Sequence, residues 1–176
     1  MPKSFYDLDG IIEMNEKRLA EYTALYQKVF ERLTNIILIY SALGIFLIPL
    51  TQHVLGRDVR GIFYYTSFTT FMVLLLVSLV YFIRLLLPVD IAYLEPPQKY
   101  YIEYRIELEL LQIGNEEIVN DSLKGSYISE LENAIEINSK AFRQKSSLFY
   151  NALLFALLAI VPYIVCIGFH LSRAGK

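Results

Sequence analysis

Three hydroxyls in one uncharged run, Ser67, Thr70 and Ser78, are the side chains of this sequence best placed to meet water or ions within an apolar segment. A hydroxyl there either lines an aqueous path or bonds a carbonyl one turn back and packs against a neighbouring helix. Bond-making chemistry has fewer candidates. His53 and His170 have no Glu or Cys at ligand spacing, so no metal is expected. Cys166, the one cysteine, lies in another apolar run away from any base, which excludes an intrachain disulfide and argues against a thiol nucleophile. The glycines are scattered and form no phosphate-cradling loop. Glu103, Glu107 and Glu109 include an i, i+4 pair, but a solvated helix face accounts for them. No carboxylate falls inside an apolar run, which argues against a proton relay. The expectation is a non-enzyme with no catalytic residue and no cofactor.

The elements around these residues are set by three runs without a charged side chain: Leu33–Gly56, Gly61–Ile83 and Ser146–Ser172. Each exceeds the roughly 20 apolar residues, at about 1.5 Å each, that cross a hydrocarbon core. Mean hydropathy is +0.41, and a net charge of −2 does not call for a nucleic-acid partner. The expected fold is an all-α membrane protein with three transmembrane helices. Residues 1–33 form an amphipathic helix that continues into the first span. Residues 33–87 form a transmembrane hairpin (33–56 and 61–87) turning at Arg57-Asp58-Val59-Arg60. A helical cytosolic region (88–145), a third span (146–172) and an outer tail (173–176) follow. No secretory signal precedes the first span, which is expected to act as the insertion signal.

Local signals refine this layout. Leu19, Tyr22, Leu25, Tyr26, Val29, Phe30 and Leu33 recur at three- and four-residue steps, a helical stripe. Pro49 should bend or end the first span, Pro88 should end the second, and Pro162 should kink the third. Residues 99–113 alternate as a strand would, yet Tyr101, Tyr104, Leu108 and Leu111 also share a helical face. Helix is the preferred reading, because a lone strand would have no partner. Gly114-Asn115 predicts a stop, Glu116–Val119 a short turn and Ser122–Ser126 a loop around Gly125. From Tyr127 one helix should run into the third span. Its stripe is interrupted at sevenfold spacing by Asn138 and Lys145, and Asn138 either fixes register between helices or faces solvent. Ala152, Ala156 and Ala159 give the third span a face for close packing.

Twelve of the Lys and Arg residues fall on the side of the N-terminus and the second connection, against Arg57, Arg60, Arg173 and Lys176 on the other. The positive-inside rule then puts the N-terminus in the cytoplasm. The first and third spans should extend inward as parallel rods. Their apolar stripes exceed what such small cytosolic pieces can bury alone, and three spans cannot ring an aqueous path. Both point to a symmetric homo-oligomer. The function expected is an oligomeric pore or membrane-disrupting effector gated by its cytosolic helices. The rival is a membrane anchor, assembly subunit or immunity protein.

The layout of the Leu33–Ile83 hairpin, the helical stretch Tyr127-Ile128-Ser129-Glu130-Leu131-Glu132-Asn133-Ala134-Ile135-Glu136-Ile137-Asn138 and a terminal span resembles small bacterial membrane effectors of antiviral operons. These are the SLATT-type effectors and the channel effectors of Hailong-type systems; the third span departs from the two-span pattern. The resemblance implies depolarisation of the bacterial inner membrane, controlled by a nucleotide or oligonucleotide that a partner nucleotidyltransferase makes. It implies that such an anion meets cations. Lys140, Arg143 and Lys145 are the densest cluster, with Arg105 and Lys124 as helpers. Ordinary positive-inside anchoring explains the same cluster.

Overall fold

The computed structural model describes residues 7–45, 47–55, 61–96, 98–110 and 116–174. Among them every regular element is helical and none is a strand. Helix α1 spans Leu8–Glu31, α2 Leu33–Ile45, α3 Leu47–Leu55 and α4 Ile62–Leu86. A π-helix at Lys99–Tyr104 leads into the short α5, Arg105–Leu110, and α6 runs from Glu116 to Ala174. The expected turn at 57–60, the stop at Gly114-Asn115 and the end of the outer tail lie outside the described residues, as do the side chains of His53 and His170.

Two helices, Ile62–Leu86 and α6 within Glu116–Phe169, are long and apolar enough to cross a membrane. In their most apolar windows only 17% and 28% of residues are buried, little for helices of such hydropathy.

The chain divides into two compact units. A charged unit comprises Met1–Gln27 and Val89–Arg143; an apolar unit comprises Lys28–Pro88 and Gln144–Lys176. Arg32 alone separates α1 from α2, and its amide still bonds the Lys28 carbonyl at 3.2 Å. Buried positions then recur every seven residues. They are Val29, Ile36, Leu43 and Leu50 towards and along α2–α3; Tyr64, Phe71, Ser78 and Leu85 on α4; and Leu131, Asn138, Lys145, Ala152, Ala159 and Cys166 on α6. A seven-residue repeat is the seam of knobs-into-holes packing.

Within the apolar unit, α4 runs antiparallel to α2–α3: Tyr40 meets Ser78 and Phe82, and Tyr64 meets the Leu50 carbonyl. The α6 segment is antiparallel to α4, with Ser78 at Ala152, Phe71 at Tyr163 and Phe63 at Phe169. The expected small face of Ala152, Ala156 and Ala159 is fully buried. Within the charged unit, α1 and α6 run parallel, as Asp9 meets Lys124, Glu16 meets Tyr127 and Tyr22 meets Phe142.

Several local expectations need correction. Ser122–Ser126 is not a loop but part of α6, and Glu116–Val119 is the first turn of that same helix. One glycine costs only about 1 kcal/mol in a helix interior, and Val119, Leu131 and Ala134 supply buried apolar contact on either side. Pro162 sits inside α6 without breaking it. Pro49 lies in the first turn of the separate helix α3, where few intrahelical bonds need its missing N–H. Pro88 does end α4: Leu87 before it is extended, at φ −62° and ψ 137°, as the steric demand of a following proline requires. Lys99–Leu110 is helical, as preferred.

Candidate functional site

The expected cationic cluster is divided by the helix that carries it. Lys145 is wholly buried. Its ammonium donates to the Leu85 carbonyl at 2.7 Å and to the Leu87 carbonyl, and it lies 5.9 Å from the centre of the Phe30 ring. These carbonyls close α4, where the last turn lacks intrahelical donors and a cation is favoured. Lys145 thus caps another helix and offers no ammonium to a ligand. Lys140 is exposed and pairs with Glu136 one turn back; that bond holds the Glu136 carboxyl below the usual carboxylate range. Arg143 is exposed.

Beyond α4 the chain runs without helix from Leu87 to Pro96, a strap held by α6. Asn138 is buried and grips one residue of it from both sides. The Ala92 amide donates to Asn138 Oδ1 at 2.9 Å, and Asn138 Nδ2 donates to the Ala92 carbonyl at 3.3 Å. The Glu95 amide donates to Glu130 Oε1 at 2.7 Å. Asn138 therefore neither faces solvent nor fixes helix against helix. It satisfies an extended segment that has no ladder of its own. The sevenfold spacing of Asn138 and Lys145 was the visible signal; what they hold was not.

Arg105 and Lys124, expected as helpers, do come together. Both line a cavity of about 840 Å³ in the charged unit, with Ile12, Leu94, Pro96 and Leu123 as apolar wall and Tyr100, Tyr127, Asn120, Glu16 and Glu95 as its polar or aromatic members. The π-helix places Arg105 here, its amide bonding back to the carbonyls of Tyr100 and Ile102. Arg105 Nε bonds Glu109 at 2.8 Å and its terminal nitrogen reaches Glu116 at 3.5 Å. Lys124 spans both Asp9 oxygens, at 2.7 and 2.9 Å. These carboxylates push both cations to hold their protons more tightly than usual. Glu95 accepts from Lys99 and from the Tyr104 hydroxyl, and the bond to Lys99 lowers its pKa. The Tyr100 ring meets Tyr104 and Tyr127 edge-on at 5.5 and 5.3 Å, and its hydroxyl is buried with no hydrogen-bond partner among the described residues.

Of the hydroxyls, Ser78 is fully buried. It lies 2.7 Å from the Tyr40 hydroxyl and donates to the Ala152 carbonyl at 2.6 Å, joining α2, α4 and α6. Ser67 is half-buried and Thr70 exposed. Thr66 beside them bonds back to the Ile62 carbonyl at 2.9 Å.

The chain matches no protein-family model, no curated protein and no solved structure.

Proposed function

We propose that this protein is a multi-pass membrane effector that forms an ion path as a symmetric homo-oligomer, opened or shut by its charged unit. The reading places three spans in the bilayer of a bacterial inner membrane, with the N-terminus and the charged unit in the cytoplasm, and makes a nucleotide or oligonucleotide the signal. The observation that carries it is the buried Lys145. A cation sealed inside an apolar unit is costly unless fully bonded, and this one is spent on holding the end of α4 where the strap departs. Force on the strap from the charged unit is thereby delivered to a membrane helix. Ser78 lies closed within one chain, so the path belongs between copies, where Thr70 is exposed.

Reconstitution of the full chain in liposomes tests this. Ion flux should depend on protein density with an order above one. Lys145→Met, which keeps the stem and drops the cap, should change basal flux severalfold. Absence of flux from wild type and variant alike, with each nucleoside monophosphate added, would overturn the pore and favour a membrane anchor, for which the closed Ser78 bond network already speaks.

A further inference from the structure

We propose that the cavity in the charged unit is the ligand site, and that it takes a planar aromatic ring bearing one phosphate, a ligand of nucleoside-monophosphate size. This deepens the regulated-effector reading and rests on its claim that the charged unit receives a soluble signal.

The volume, about 840 Å³, falls in the range of sites that enclose small molecules, about 300–1,000 Å³. Two cations from different elements, Arg105 on α5 and Lys124 on α6, share its lining. Their partners are cheap to exchange. Asp9, Glu109 and Glu116 are exposed carboxylates, with side chains 71%, 53% and 77% accessible, and ion pairs of that kind add little to stability. A phosphate offers the guanidinium a stronger, two-pronged acceptor. The aromatic requirement comes from Tyr100 and Tyr127 in the same wall as Leu94 and Leu123, a surface on which a flat ring can lie. The buried Tyr100 hydroxyl is a donor awaiting an acceptor. Glu16 and Glu95 make the lining unsuited to bare phosphate or a polyanion and suited to hydroxyl or amino groups on the rest of the ligand. Lys140 and Arg143 contribute nothing to this cavity, and Lys145 is buried elsewhere.

Isothermal titration of the full chain in neutral phosphatidylcholine nanodiscs tests the assignment, with the four ribonucleoside monophosphates, their nucleosides and inorganic phosphate as probes. At least one monophosphate should bind, more tightly than its nucleoside or inorganic phosphate. Arg105→Gln with Lys124→Gln should weaken it by at least about tenfold and bring it down towards the nucleoside. Tyr100→Phe, which keeps the ring, should weaken it less. Circular dichroism establishes that each variant is folded. Four outcomes overturn the site: no monophosphate binds, inorganic phosphate binds as well, phosphatidylglycerol in the nanodisc displaces the nucleotide, or the double variant binds unchanged. Binding without flux in the liposome assay would retire the pore and keep the site. Nucleotide-gated flux that survives the double variant would retire the site and keep the pore.

Discussion

The two units solve opposite burial problems. In the charged unit Val119, Leu131, Ala134 and Ala141 are inside and the ionic pairs lie at the surface. In the apolar unit Ser78 and Lys145 are among the most buried side chains, while Ile62, Leu38, Val161 and Leu171 are 61–87% exposed. Water rewards the first arrangement and penalises the second. A hydrocarbon surrounding does the reverse, because apolar surface then costs nothing outside and polar groups must be satisfied inside. The contrast supports lipid as the solvent of the apolar unit, and it makes each unit's polar contacts the places to probe.

The largest effect is expected from Lys145→Met. It strips charged donors from the Leu85 and Leu87 carbonyls, and should destabilise the apolar unit by about 2–4 kcal/mol, read as lowered thermal unfolding in detergent. A melting temperature equal to wild type would mean that the cap is ornamental. Next comes Asn138→Leu in the charged unit, which removes both bonds to Ala92 from a buried site at a cost of about 2 kcal/mol. Amide exchange at Ala92 should accelerate sharply while exchange in α4 stays as it was. Ser78→Ala should cost about 1 kcal/mol, and Thr70→Ala much less; equal losses would erase the distinction between a buried and an exposed hydroxyl. The smallest effect is that of pH. Glu95 and Glu136 have lowered pKa values, so their pairings contribute above the unfolded value of 4.5 and are lost as pH falls through the folded value. Melting followed below pH 5 should decline gently, and Lys99→Gln with Lys140→Gln should flatten that decline.

Much of this was legible in the residues, and what was not has physical causes. The apolar runs around α2–α3, α4 and the end of α6 follow from hydropathy, which is local and additive along the chain. The close-packing alanines and the Pro88 stop are equally local. Gly125 misled because a single glycine in a helix is a small penalty that flanking burial overrides. The cluster of Lys140, Arg143 and Lys145 misled for another reason. Residues five apart on a helix face different ways, so density along the chain says nothing of shared surface. Arg105 and Lys124 share a cavity although 19 residues apart in sequence, and only the return of α6 past the π-helix reveals it.

The π-helix itself carries a last implication. A turn wound with one residue more than its neighbours resets the angular phase of everything after it, by about 100° for each residue added or removed. Trimming one amino acid between Lys99 and Tyr104 would let the segment relax into ordinary α-helix, yet swing the guanidinium of Arg105 out of the cavity wall with no substitution at that position. Wide turns of this sort are awkward to keep, and this one aims the arginine.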